Sequence, residues 1–226
     1  MNLPAHIETA TAVGSDEVGV GDYLGPLVVT SVYVASDQIK RLKAHGVRDS
    51  KNLSDSRIHQ IANEIKDLLP HKTVIFENKH YNAMIEQGLN AHVVKSFLHN
   101  KAISELINSL PHYPEAIIVD EFASIKNHFN YLKQLPKKQN VVEKNVYFVK
   151  KGEAVHIAVA AASILARQTF VTFMDQLSGT YAMEILKGAG EKVDECSRRF
   201  IEKHGELAFK EICKWHFANT SRIIKK

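Results

Sequence analysis

Short apolar runs alternate along the chain with cap-initiated, amphipathic stretches, so the hydrophobic repeat switches between that of a strand and that of a helix. Residues 12–18 and 26–35 read as strands, the second carrying the β-branched run Leu27-Val28-Val29-Thr30-Ser31-Val32-Tyr33-Val34. Pro26 stands at its start, where a missing amide is tolerated. Ser36 is placed to cap a short helix ending near Gly46, and Ser54 to cap another through Leu69 that Pro70 terminates. Lys72 to Glu77 reads as a strand, Tyr81 to Gln87 as a short helix, and Asn90 as the cap of a longer helix reaching Leu110.

Downstream, Ala116-Ile117-Ile118-Val119 is a fully apolar strand closed by Asp120, the pattern of a buried parallel strand whose carboxyl end opens onto a site. Ser124 to Gln134 then reads as a helix and Val146 to Val149 as a strand, and Gly152-Glu153 introduces one long helix running to about Leu177. The alanines at 158, 160, 161, 162 and 166 would let that helix pack closely on a sheet. After the loop Leu186 to Gly190, further helices are expected over Val193–Lys203 and Glu206–Phe217. The sum is an α/β fold with a mixed sheet flanked by helices and additional C-terminal helices.

The chain has 226 residues, 45% hydrophobic and 24% charged, which suits a folded globular protein and excludes disordered and fibrous classes. One compact domain over residues 1–226 is expected, with no internal repeat. No run of about 18 apolar residues suggests a membrane span, and Met1 to His6 lacks a basic start and an apolar signal core, as expected of a cytoplasmic protein. Cys196 and Cys213 are too few for a disulfide framework and read as buried thiols; a zinc set of Cys196, His204, Cys213 and His216 is the weaker alternative. The net charge of +4, with lysines clustered between Lys133 and Lys151 and a basic C-terminal part, is compatible with a polyanion partner.

Chemistry concentrates in Gly14-Ser15-Asp16-Glu17-Val18-Gly19-Val20-Gly21-Asp22-Tyr23, where two adjacent carboxylates close an apolar run and glycines 19, 21 and 25 follow. Carboxylates are the hard ligands preferred by Mg²⁺, and glycines let main-chain groups approach a ligand. Asp16, Glu17, Asp120 and Glu153 all fall at strand ends or at the start of a helix that follows one. Four acids meeting there would repel one another without cations, whereas two divalent ions would neutralise them and assist a phosphoryl displacement. Strand alternation points Asp16 and Glu17 to opposite faces, so a local bend is expected to reorient one of them. Asp49-Ser50-Lys51 and Lys187-Gly188-Ala189-Gly190 read as loops able to bring an ammonium to phosphate.

The opening motif through Gly25-Pro26-Leu27, taken with Asp49-Ser50-Lys51-Asn52-Leu53, resembles the type 2 ribonucleases H, and specifically bacterial ribonuclease HIII. Ile118-Val119-Asp120-Glu121-Phe122-Ala123, Lys151-Gly152-Glu153 leading into Ala160 to Arg167, and Lys187 to Gly190 match in the same order. Ribonuclease HII usually has Gly-Arg-Gly at Gly19-Val20-Gly21 and Asp at Glu153, and both differences favour the HIII type. The resemblance implies a ribonuclease H-like fold and a catalytic, metal-binding set of Asp16, Glu17, Asp120 and Glu153. It implies Mg²⁺ or Mn²⁺, two ions in the catalytic complex, and endonucleolytic hydrolysis of the RNA strand of an RNA/DNA hybrid, leaving 3′-hydroxyl and 5′-phosphate ends.

Substrate contacts are implied at Gly19, Val20 and Gly21, whose backbone meets ribose 2′-hydroxyls, and at Ser50, Lys51 and Lys187. The family normally carries an N-terminal substrate-binding domain; only about a dozen residues precede the first strand here, so no such domain is expected and hybrid binding should be weak and salt-sensitive. No membrane and no obligatory protein partner is implied. Cleavage at single ribonucleotides embedded in DNA, a DNA junction nuclease of the same structural class, and a non-catalytic nucleic-acid-binding protein are the competing readings.

Overall fold

A computed structural model describes residues 3–47, 53–135 and 140–224. Five strands, β1 (Ala12–Val18), β2 (Leu27–Val34), β3 (His71–Phe76), β4 (Ala116–Asp120) and β5 (Val146–Val149), form one mixed sheet in the order β3-β2-β1-β4-β5. β1 pairs in parallel with β4, Ala12 opposite Ala116 and Ser15 opposite Val119, and β4 pairs in parallel with β5, Ile117 opposite Val146 and Asp120 opposite Val149. The helices are α1 (Ile39–Ala44), α2 (Asp55–Ile65), α3 (Asn78–Glu86), α4 (Ala91–Ile107), α5 (Ile125–Leu132), α6 (Gly152–Val155), α7 (Ile157–Thr180), α8 (Glu191–Ile212) and α9 (Ala218–Ile223).

Contacts divide the chain into two compact units, one of Met1–Val18, Val29–Val74 and Ala91–Gln168, the other of Gly19–Val28, Ile75–Asn90 and Thr169–Lys226. The first unit holds most of the sheet and a core on each side of it. Val13, Ile117 and Val119 pack with Ile103 and Leu106 of α4, whereas Ala12, Ala116 and Ile118 pack with Val159 of α7. Successive residues of β1 and β4 therefore alternate between α4 and α7, as regular strands must. Gly14 sets how closely α7 lies: a Cβ there would stand 2.2 Å from the Ala158 carbonyl carbon and the Val159 nitrogen. Only a residue without a side chain tolerates that approach.

In the second unit Tyr23 sits edge-on to Phe209 at 5.8 Å, Phe209 meets Phe200 at 5.7 Å, and Phe200 meets Tyr181 at 4.7 Å. Asn82 of α3 donates from Nδ2 to the carbonyls of Lys210 and Cys213 and accepts from the Trp215 amide, so it ties off the end of α8. Orphan carbonyls at a helix end need such partners.

Several expectations need correction. The long helix expected from Gly152 breaks at His156, which adopts an extended conformation (φ −143°, ψ 135°). Its Nδ1 accepts from the Ala158 amide while Nε2 donates to the Ala10 carbonyl, so the imidazole caps α7 and anchors it. Ser36 begins a 3-10 turn rather than capping a helix; Gln38 reaches back to the Ala35 amide instead. α8 is interrupted at Gly205 (φ 83°), as the two expected helices imply, but it ends at Ile212 and not at Phe217. α7 is long and apolar enough to cross a membrane (mean hydropathy 1.5), contrary to the reading of the sequence, yet 72% of that stretch is buried within the protein.

Replacing Gly14 with alanine forces a methyl group into the α7 backbone. The Gly14→Ala chain is expected to lose about 3 kcal/mol of stability, the upper range for overpacking, measured as a lowered urea midpoint with an unchanged slope.

Candidate active site

Because Ala116 and Ile118 face α7, the next residue in phase, Asp120, faces the same way. The β1–β4 register, carried one step past Ser15–Val119, places Asp16 beside it. Asp16 is only 6% exposed, and its carboxyl accepts hydrogen bonds from the Glu17 amide (2.8 Å) and from Ser163 of α7. Burial, followed by the charges of Glu17 and Asp120, pushes the Asp16 carboxyl well above the usual carboxylate range despite those hydrogen bonds. Asp120 Oδ1 accepts from the Gly152 amide at 2.8 Å. A Cβ on Gly152 would come within 3.2 Å of Val159 Cγ1 and 3.4 Å of that same Oδ1, so the glycine lets α6 start against the carboxylate. Glu153 follows immediately, half-buried, on an open hollow that Lys43 and His156 also line.

Glu17 points the other way, toward α4. Its Oε2 accepts from His99 Nε2 at 2.9 Å and its Oε1 pairs with Lys95 Nζ at 3.3 Å, with His99 fully buried and the other two side chains nearly so. Burial alone would raise this carboxyl, but His99 and Lys95 outweigh it and hold Glu17 below its ordinary value. Ser31 Oγ donates to Ser15 Oγ at 3.0 Å, and Ser15 lies 2.8 Å from His99 Nδ1. The Glu17 carboxylate can only accept, so His99 Nε2 carries the proton that faces it, and in the neutral imidazole Nδ1 is left to accept from the Ser15 hydroxyl. The expected bend between Asp16 and Glu17 is absent: β1 stays regular and the two acids serve opposite faces.

The glycine segment belongs to the second unit. Gly19 (φ 97°) opens a turn closed by the Asp22 amide on the Gly19 carbonyl at 3.3 Å, and a Cβ at Gly19 would lie 2.2 Å from the Pro26 carbonyl oxygen. Val20 is half-buried and Gly21 exposed. The Tyr23 amide donates to the Gly188 carbonyl at 2.8 Å, and the Gly188 amide donates to Asp22 Oδ1 at 2.6 Å. Two segments read separately in the sequence, Gly19–Gly21 and the loop of exposed Lys187, thus form one assembly. Ser50 and Lys51 lie outside the described residues. Among the described residues no three His, Cys, Asp or Glu side chains are grouped as a ready-made metal cage, neither from the four acids nor from Cys196, His204, Cys213 and His216.

The family model for ribonuclease HII matches residues 13–220, a span that begins with β1 and runs through both glycine loops into α9. This chain belongs to the ribonuclease HII family. Within that family it is 44% identical to ribonuclease HIII of Bacillus mycoides over 227 aligned residues, covering 99% of this chain and 72% of the relative, and 44% identical to ribonuclease HIII of Bacillus cereus strain ATCC 14579 with similar coverage. Among solved structures, Bst-RNase HIII in complex with Mn²⁺ superposes with a TM-score of 0.92 at 40% identity, covering 96% of this chain and 70% of that one. Ribonuclease H2 of Pyrococcus horikoshii shares the fold, with a TM-score of 0.75 at 24% identity and coverage of 94% and 96%.

In this ribonuclease HII-family chain the sequence reading missed the support around Glu17. Lys95 and His99 are one helical turn apart on α4, a spacing that was legible, but nothing local says which strand they face. Phe122 completes the group: it stacks on His99 at 5.0 Å and lies 4.5 Å beneath the Lys95 ammonium. His128 packs edge-on to Phe122 and against Phe148, buried, with its Nδ1 lacking a partner among the described residues, and burial pushes its pKa down to about 3. The unfolded chain therefore takes up a proton near 6.5 that the folded chain refuses until about 3. Stability from this residue is complete above the higher value and is lost as the pH falls toward the lower one. A His128→Leu chain is expected to show a shallower decline in urea midpoint across that interval, read from denaturation curves at a series of pH values.

Proposed function

We propose that this chain is an endoribonuclease that hydrolyses the RNA strand of RNA/DNA hybrids, leaving 3′-hydroxyl and 5′-phosphate ends, and that Asp16, Glu17, Asp120 and Glu153 are its catalytic acids. The observation that carries the reading is the buried Asp16 carboxyl, raised by burial and then by the charges of Glu17 and Asp120. Repulsion of that kind is relieved by a cation, so the donor set fits a hard divalent ion. The Mn²⁺ complex of Bst-RNase HIII supports the same choice. Asp16 and Asp120, with Glu153 next to the Gly152 amide that binds Asp120, would hold Mg²⁺ or Mn²⁺, two ions in the catalytic complex, with Glu17 contributing from the α4 side. Such ions supply charge stabilisation for in-line displacement at a phosphodiester.

The protein's own groups set the remainder. His99 and Lys95 keep Glu17 ionised and hold its two oxygens in place. The Gly19–Gly21 turn offers backbone close to ribose, the part of the substrate that separates RNA from DNA. Ser50, Lys51 and exposed Lys187 supply phosphate contacts, whose contribution falls with salt.

The test is cleavage of labelled hybrid, of duplex with one embedded ribonucleotide, and of all-DNA duplex, with each metal at low salt. Hybrid cleavage that stops on chelation is expected; folded protein that cuts none of them with either metal overturns the reading. Asp120→Asn and Glu153→Gln are each expected to reduce kcat by more than about 10²-fold, the equivalent of several kcal/mol of charge stabilisation. Their circular dichroism should match the parent, and full activity in either removes that acid from the catalytic set.

A further inference from the structure

Lys214 is a lysine that the catalytic reading does not use, and it is 1% exposed. It follows α8 directly, where Cys213 turns extended and pairs with Leu24 as an isolated antiparallel bridge. Its ammonium donates to the Asp22 carbonyl at 2.7 Å and to the Gly25 carbonyl at 2.8 Å, and its amide donates to the Tyr23 carbonyl at 2.8 Å. The Gly25 amide in turn donates to the Ile212 carbonyl at 2.8 Å. Two backbone ties and two side-chain ties thus fasten residues 22–25 to residues 212–214, while Asp22 and Tyr23 clasp Gly188 from the other side.

Such a lysine is a poor device for stability. Taking an ammonium out of water is costly, and an apolar side chain of equal length would fill the same space without that penalty. What the amine provides is direction: two carbonyls that must turn inward to meet it. Burial brings Lys214 down to about 7, with the nearby Asp22 charge opposing.

We propose that Lys214 is a positioning residue for the substrate: it fixes the Gly19–Gly25 turn and, through Asp22 and Gly188, the Lys187 loop, as one preorganised surface for the ribose and phosphate of the RNA strand. The inference rests on the hybrid-ribonuclease reading and adds that grip and RNA-over-DNA discrimination depend on a buried side chain touching neither substrate nor metal. Preorganisation of this sort acts on binding more than on the chemical step.

The full chain carrying Lys214→Met is compared with wild type on RNA/DNA hybrid, with all-DNA duplex as competitor. KM is expected to rise about tenfold with kcat within about twofold, the signature of lost binding common to ground and transition states. Discrimination against the DNA competitor is expected to fall in parallel. A merely structural lysine would behave differently, since fewer folded molecules lower the apparent kcat and leave KM alone. If Lys214→Met does not fold, Asp22→Ala, which opens the Gly188 end of the same clasp, decides with the same readout. Unchanged KM and discrimination in the variant that folds overturns the inference while wild-type cleavage of hybrid keeps the broader reading standing. Wild type that leaves hybrid intact removes both.

Discussion

The parallel pairing of β1 with β4 is the constraint from which the candidate site follows. Once Ala12 lies opposite Ala116 and Ser15 opposite Val119, the two strands run out side by side, and their terminal acids have no choice but to be neighbours. Pairing fixes more than proximity. The strands share a phase against α7, so Asp16 and Asp120 fall on one face, and the half-turn of the pleat sends Glu17 to the other. Gly14 lets α7 come down onto β1, which brings Ser163 to Asp16, and Gly152 lets the next segment come down onto Asp120. Two missing side chains therefore define how closely the packing closes over the acids, and at Asp16 that burial is what raises the energy of the charge.

That arrangement gives adjacent carboxylates opposite electrostatic settings. Asp16 sits in a place hostile to its own ionisation, made so by burial and by its acidic neighbours. Glu17, one residue on, is equally buried but meets an ammonium and an imidazole, which hold it ionised. The first faces acidic neighbours and the second is paired with cationic and hydrogen-bonding partners. A pair of acids that looks redundant in the sequence is, in the fold, one group whose charge is disfavoured and one whose charge is held in place.

Much of the architecture was legible because the local signals agreed. The run Ala116–Val119 closed by Asp120, the Ser54 cap, and the alanines of α7 each state one thing, and the structure keeps all of them. The failures share a cause. His156 breaks the α6–α7 run by bonding Ala10, a residue remote in sequence, and no propensity anticipates a cap made by such a partner. The Glu17 support was hidden likewise, since Lys95 and His99 read as ordinary helix positions until β1 is laid against them. The expected bend at Asp16–Glu17 came from assuming that all the acids must share a face; a regular strand with one acid anchored behind it meets the physics with less distortion. That the acids stand at strand ends could be read from chain position, whereas the side chains that hold Glu17 in place are a property of packing.

The Ser31–Ser15–His99 string has a consequence of its own. Each hydroxyl has one proton to give, so while Ser31 donates to Ser15 and Ser15 to Nδ1, the imidazole keeps its own proton for Glu17. Moving that proton to Nδ1 would turn the Ser15 hydroxyl from donor to acceptor there and leave a bare Nε2 facing a carboxylate that can only accept, among side chains closed to solvent. A hydroxyl on the neighbouring strand β2 thus belongs to the fixed setting of the Glu17 carboxylate, one strand over from the acid it serves.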